Sequence, residues 1–281
     1  MIKKIINIAK EASKIIMKYY SKDLRVSTKG KDPYNFVTKA DIKSDNYIRQ
    51  RLQEEFPEDY MLSEENKNIP TEYSGRVWII DPLDGTKDFV NKGSGFSVMI
   101  GLCDNGKPIL GVVYAPAKDL LYYAEKGKGA YMEKDGVLSQ IHVNDITRLN
   151  QARMITRIAH GEARPLDKMI NNFKVKEIIP ESSIGLKLGM IASGDAEFHI
   201  SSHFLILNKT SKWDTCAPQI ILEEAGGIIT DFKGNGLDYK QKSLLWENSF
   251  VASNSLAMHK EIIKGIKDYM KKFPFSDIKE I

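Results

Sequence analysis

The sequence predicts an α+β half followed by an α/β half. Three observations set this reading. Ile2, Ile5, Ile6, Ala9, Ala12, Ile16 and Tyr20 recur at helical spacing at the start of the chain. Paired β-rich runs with a hairpin signal fill the stretch up to residue 132, and strand-like and helix-like runs alternate after residue 148.

Taken in order, the first repeat gives one amphipathic helix. Thr38-Lys39-Ala40-Asp41 reads as a capping box that opens a second helix, with Ile48, Leu52 and Phe56 on its apolar side. Residues 76–80 read as a strand that Pro82 ends, because proline cannot donate to a ladder. Runs 96–103 and 108–114 flank Asp104-Asn105-Gly106-Lys107, a hairpin signal, and runs 120–124 and 130–132 continue the antiparallel pattern around Gly127 and Gly129. Beyond residue 148, strands are expected at 154–159, 175–179, 196–200, 228–230 and 250–252. Helices are expected at 162–172, 185–193, 213–225 and 256–272, with Gly226-Gly227 closing the third of these. No repeat, low-complexity tract or long linker intervenes. The division into an N-terminal unit, 1–147, and a C-terminal unit, 148–281, rests on the change of rhythm alone.

Composition narrows the class. The chain has 281 residues, 42% hydrophobic and 28% charged, which is ordinary for a globular protein. Its net charge of +4 comes from lysines spread along the chain, and pairs such as Lys3-Lys4 and Lys271-Lys272 read as solvated helix faces. No basic, aromatic-interleaved stretch points to a nucleic-acid partner. Cys103 and Cys216 lie far apart in sequence without CxxC spacing, which argues against a disulfide framework or a zinc site and fits a reducing compartment. The first apolar run is broken by Lys10, Glu11, Lys14 and Lys18, so it reads neither as a signal peptide nor as a membrane span. A cytoplasmic protein without a membrane partner is expected.

Acids concentrate beside glycine, proline or hydroxyl residues at Asp41, at Glu64-Glu65, at Asp81 with Asp84 and Thr86, and at Asp214 with Thr215. Each has a plain structural reading. Asp41 completes a capping box, Glu64-Glu65 is a solvated loop, Asp84-Gly85 is a turn and Asp214 caps the following helix. The Asp81 pair resists such a reading. Asp81 follows Val77-Trp78-Ile79-Ile80 directly, where a carboxylate is at least partly buried and needs a cation or several donors. Pro82 turns the chain and Gly85 permits a second bend, so two acids three apart can converge with the Leu83 carbonyl between them. An all-oxygen set suits a hard divalent ion, Mg²⁺ before Mn²⁺, and the lack of nearby His or Cys argues against zinc.

Three ordered motifs carry a family likeness: Ser63-Glu64-Glu65, then Trp78-Ile79-Ile80-Asp81-Pro82-Leu83-Asp84-Gly85-Thr86, then Trp213-Asp214-Thr215-Cys216-Ala217-Pro218 with Glu224-Ala225-Gly226-Gly227. Together they resemble the inositol monophosphatase-like superfamily of metal-dependent, lithium-sensitive phosphatases, from Phe36-Val37-Thr38-Lys39-Ala40-Asp41 to the final helix. The resemblance implies a layered α-β-α-β-α sandwich. It implies Glu64, Asp81, Asp84 and Asp214 as side-chain ligands, with the Leu83 carbonyl, for about two or three Mg²⁺ ions. It implies Asp41 and Thr86 as the pair that orients and deprotonates the attacking water, and Gly85 and Thr86 as backbone donors to the phosphate.

Within that superfamily, Lys212-Trp213-Asp214-Thr215-Cys216-Ala217-Pro218 is similar to the 3′(2′),5′-bisphosphate nucleotidases more than to the inositol phosphatases. Lys187 aligns with a lysine that nucleotidases place near a second phosphate; a surface lysine at a helix edge is the alternative. That pattern often carries a serine where Ile184 stands. Arg157 and His160 fall in a segment resembling the nucleotide-pocket wall, or simply end a strand. Trp213 either stacks on a substrate or anchors its helix in the core. The implied activity is hydrolysis of the 3′-phosphate of 3′-phosphoadenosine 5′-phosphate to AMP, and also of 3′-phosphoadenylyl sulfate, within sulfur metabolism. The alternatives are an inositol-1-phosphate or broad sugar-phosphate phosphatase, and a catalytically silent metal-binding regulator. The expected partner is a small phosphorylated substrate, with the chain a monomer or homodimer.

Overall fold

Helix α1 (Ile2–Tyr20) forms where the repeat predicts it and buries Ile5, Ile8, Ala9, Ala12 and Ile16. The computed structural model describes residues 1–20, 27–28, 36–66, 75–157, 173–201, 210–246 and 249–272. A short ribbon pairs β1 (Ser27–Thr28) with β2 (Phe36–Val37). Helix α2 (Lys39–Glu55) starts at Thr38, whose hydroxyl accepts from the Ala40 and Asp41 N–H groups while Asp41 accepts from the Thr38 N–H. That is the predicted capping box.

The first sheet runs in chain order: β3 (Tyr60–Ser63), β4 (Arg76–Asp84), β5 (Ser97–Asp104), β6 (Lys107–Ala115), β7 (Leu120–Glu125), β8 (Ala130–Lys134) and β9 (Val137–Ile141). β3 is parallel to β4, and each later neighbour is antiparallel. Corrections to the sequence reading arise here. β3 stands where that reading places no strand, a four-residue edge strand parallel to β4. Pro82 does not end β4. The pairing with β5 shifts register between Asp81 and Asp84, so the missing N–H falls in an irregularity where the ladder does not need it. β9, absent from the sequence reading, forms because Asp135 and Gly136 both take positive φ (51° and 76°), a hairpin turn matched to strand twist.

The short helix α3 (Thr86–Val90) follows β4. Beyond residue 152 the second sheet contains β10 (Arg153–Thr156), β11 (Glu177–Pro180), β12 (Phe198–Ser201), β13 (Ile228–Asp231) and β14 (Phe250–Ser253), in the order β11-β10-β12-β14-β13. The helices are α4 (Ile184–Ala192), α5 (Lys212–Glu224) and α6 (Leu256–Lys272). The helix expected at 162–172 lies outside the described residues.

The layers follow from which side chains share a core. Ile5, Ala9, Ile48 and Leu52 of α1 and α2 pack on Trp78, Ile80, Ile100 and Val112. The opposite face of that sheet, with Ile79, Met99 and Val113, meets Leu186, Leu188, Cys216 and Ile220 of α4 and α5, which also touch Ile155, Phe250 and Ala252 of the second sheet. Met258 and Ile262 of α6 cover the far side on Phe198 and Val251. The result is the expected α-β-α-β-α sandwich.

The middle layer sits close on the first sheet. A Cβ on Gly111 of β6 would lie 2.2 Å from the Ala217 carbonyl oxygen of α5, and one on Gly101 of β5 would lie 2.5 Å from Cys216 Sγ. Cys103 and Cys216, distant in sequence, meet here as buried free thiols with sulfurs 3.4 Å apart. Replacing Gly111 by Ala should force α5 outward and destabilise the protein by about 1–3 kcal/mol. Urea unfolding checks this, and an unchanged midpoint would show that the approach is not tight.

Candidate metal and phosphate site

β4 carries two acids into the middle of the molecule. Asp81 is 1% exposed and Asp84 8%. Asp81 accepts from the Leu83 N–H at 3.0 Å, which fixes the bend that Pro82 begins. Asp84 accepts from Ser183 Oγ at 2.6 Å and from the Gly185 N–H at 3.0 Å, so the start of α4 holds it across ninety-nine residues of chain. Asp214, in the first turn of α5, accepts from the Ser211 N–H. One carboxylate oxygen from each of Asp81, Asp84 and Asp214 lies within 4.8 Å of the others. The three are brought together from both halves of the sequence.

Burial raises the pKa of Asp81, Asp84 and Asp214 above the ordinary carboxylate value. For Asp81 and Asp214 the neighbouring negative charges raise it further. Glu64 lies outside the three-acid group, yet its charge acts on both Asp81 and Asp214. Lys187 on α4 is buried, donates to the Ser182 carbonyl at 3.0 Å and attracts Asp84 and Asp214. Burial pushes its ammonium down to about 8.

The other expected residues fall around this group. Thr86 Oγ1 lies 3.0 Å from the Leu83 carbonyl and 3.3 Å from Asp41 Oδ1, and Thr38 donates its hydroxyl to the second oxygen of Asp41 at 2.5 Å. Gly85 has φ 87°, and a Cβ there would lie 2.4 Å from the Gly95 carbonyl oxygen, so the bend before Thr86 requires glycine. Arg157, half-buried after β10, opposes the Lys187 charge. His160 lies outside the described residues. Trp213 packs against the middle-layer core, the anchoring alternative.

Sequence reasoning missed the fixtures of Asp84 and Asp214. Ser183 is an N-cap whose hydroxyl also bonds Ser97 Oγ at 3.0 Å, and only its N-cap character was readable from Ser182-Ser183-Ile184. Lys212, 1% exposed, donates to the Tyr239 carbonyl at 2.8 Å and to that of Gln241. Tyr239 OH and Trp246 Nε1 donate to Thr215 Oγ1 at 2.9 and 3.0 Å. This clamp fixes the turn bearing Asp214, and no local pattern announces it.

A sandwich of these layers enclosing such a group of acids defines a class of metal-dependent phosphatases, and comparison with known proteins agrees. The model of the inositol monophosphatase family matches residues 1–271, and the chain belongs to that family. It is 34% identical over 257 residues to the 3′(2′),5′-bisphosphate nucleotidase CysQ of Aggregatibacter actinomycetemcomitans, covering 89% of this chain and 91% of the relative. It is 29% identical over 261 residues to the inositol-1-monophosphatase of Bacillus subtilis, covering 91% and 92%. The solved IMPase of Thermotoga maritima superposes with a TM-score of 0.80 at 28% identity, covering 95% and 96%. The family implies dependence on a divalent metal, and the residues fit one. Three carboxylates, two of them almost wholly buried, form an all-oxygen donor set for a hard cation that would relieve their repulsion.

The pH dependence has a definite sign. A carboxyl whose folded pKa is raised binds its proton more tightly in the folded state, so its contribution is present below the unfolded value and lost as pH rises. In chelator-treated protein, Asp81→Asn should therefore gain thermal stability over the wild type as pH rises from 4 to 7, and saturating divalent ion should reverse the order. A difference between the two midpoints that stays constant with pH would show that Asp81 is not repelled in the fold.

Proposed function

We propose that the chain is a Mg²⁺-dependent phosphomonoesterase that hydrolyses the 3′-phosphate of 3′-phosphoadenosine 5′-phosphate, releasing AMP and phosphate. The observation that carries the reading is the Asp81–Asp84–Asp214 group, with Asp81 and Asp84 buried, and the buried Lys187 ammonium whose charge acts on Asp84 and Asp214. In this reading Glu64, Asp81, Asp84, Asp214 and the Leu83 carbonyl hold the metal. Bound divalent ions supply a lowered pKa for the attacking water and stabilisation of the leaving oxygen.

The chain's own groups do the rest. Thr86 Oγ1 accepts a hydrogen from the water, and its own proton has two acceptors, the Leu83 carbonyl at 3.0 Å and Asp41 at 3.3 Å. A Leu83 carbonyl engaged as a ligand leaves Asp41 to take it. Asp41 is held for this by the Thr38 N–H and hydroxyl on its other oxygen. The Gly85 and Thr86 N–H groups, at the bend that only glycine permits, face the phosphate.

Support for the nucleotide branch comes from the Lys212–Pro218 motif and from relatives named 3′(2′),5′-bisphosphate nucleotidase. Lys187 adds a physical reason. Burial lowers its ammonium pKa to about 8, and a second phosphate on the substrate would be a counter-ion that favours the charged form. Sulfate-activation by-products fit this chemistry. Inositol 1-phosphate lacks the second anion and is the comparison substrate.

With Mg²⁺, kcat/KM for 3′-phosphoadenosine 5′-phosphate should exceed that for inositol 1-phosphate by roughly 10²-fold or more. Lys187→Met should narrow the gap between the bisphosphate and 3′-AMP. A preference for inositol 1-phosphate would overturn the nucleotide reading, and no hydrolysis of any phosphomonoester would leave a silent metal-binding protein. Thr86→Ala and Asp41→Asn should each lower kcat by about 10²–10⁴. Full turnover in either variant would remove that residue from proton transfer.

A further inference from the structure

Helix α2 buries a polar stripe. Asp41, Ser44 and Asp45 are 1%, 0% and 2% exposed, on a helix whose other buried positions are Ala40, Ile48 and Leu52. Their spacing, i, i+3 and i+4, puts them on one face. Each meets a different stretch of the candidate site. Asp41 meets Thr86, Ser44 donates to the Pro82 carbonyl at 3.1 Å, and Asp45 accepts from the Ser63 hydroxyl.

The Asp45–Ser63 bond matters most, because Ser63 ends β3 and immediately precedes Glu64. On one side the backbone fixes this point: Ser63 pairs with Ile80, and the Glu64 N–H donates to the Ile80 carbonyl at 3.2 Å. Ile80 in turn adjoins Asp81. Beyond that ladder Ser63, 0% exposed, accepts from the Asn66 N–H at 3.2 Å through its carbonyl and gives its hydroxyl to the Asp45 side chain. Asp45 is itself held by Arg49 Nε at 2.7 Å, one helical turn further on. A buried carboxylate serving solely to fill space would be replaceable by an apolar group at lower cost.

We infer that Asp45 is a positioning residue which, through Ser63, sets where Glu64 stands relative to Asp81 and Asp214. The inference rests on the reading of these acids as metal ligands. Outer partners that orient ligands typically govern affinity by about 10–100-fold. Their bond, not their charge, is what positions here.

Calorimetric titration of chelator-treated protein with Mg²⁺ tests this, alongside its unfolding midpoint without metal. Asp45→Ala and Ser63→Ala should each weaken Mg²⁺ binding by about tenfold. The double variant should be no weaker than either alone, since both remove one interaction. Asp45→Asn, which keeps an oxygen acceptor but loses the charge, should restore most of the affinity. If Asp45→Ala does not fold, Ser63→Ala against Asp45→Asn still separates bond from charge. Variants that lose thermal stability yet bind Mg²⁺ within twofold of the wild type would show a purely structural pair and overturn the inference. Losses that add in the double variant would equally overturn it. A wild type that takes up no Mg²⁺ fails differently: it removes the metal reading, and the positioning role with it.

Discussion

Three carboxylates crowded into a buried, low-dielectric centre are the constraint around which this molecule is built. Asp81, Asp84 and Asp214 all lose hydration, which raises their affinity for protons, and at Asp81 and Asp214 the neighbouring negative charges raise it further. Left alone, such a group would push its strands and helices apart. The surrounding structure opposes that by giving each acid a fixed donor: the Leu83 N–H, the Ser183 hydroxyl with the Gly185 N–H, and the Ser211 N–H. The arrangement fits a hard cation, since its oxygen donors are already gathered and held by their own hydrogen bonds.

The layers serve the same end. α5 has to lie close to the first sheet for Asp214 to reach β4, and the bare Gly101 and Gly111 give it room. Glu224 at the other end of α5 accepts from the Gly127 and Gly129 N–H groups, both at 2.8 Å, so the helix is tied to the sheet along its length. Its C-terminus closes with the Gly226 N–H on the Glu223 carbonyl and the Gly227 N–H on the Leu222 carbonyl. Position is thus fixed from the helix start, where Lys212 gathers the 239–241 backbone, to its end.

Legibility followed range of interaction. The helices of the first half, the capping box at Thr38 and the hairpin at Asp104–Lys107 depend on neighbours within a few residues, and their patterns can be read directly. The strand limits at Pro82 failed because proline's effect depends on whether its partner strand asks for a hydrogen bond at that point, and the register shift removes the demand. Among site residues, Asp81 with Asp84 was legible because a carboxylate after an apolar run is costly, whereas Asp41, Glu64 and Asp214 were legible only through the family likeness. Ser183, Lys212, Ser44 and Asp45 were not, because serine, lysine and aspartate are common surface residues until a fold buries them.

By itself the sequence determined the long helices of the first half, most strands of the first sheet, the oxygen-rich bend at Asp81 and Asp84, and the family to which the motifs point, since each follows from local pattern or residue type. A ligand role for Asp214 came only with the family likeness. Only the tertiary structure decided that these acids meet within one ion's reach, that Cys103 and Cys216 touch, and which neutral donors hold each carboxylate. Those are contacts between segments tens of residues apart, set by how layers pack, and spacing along a chain does not encode separation in space.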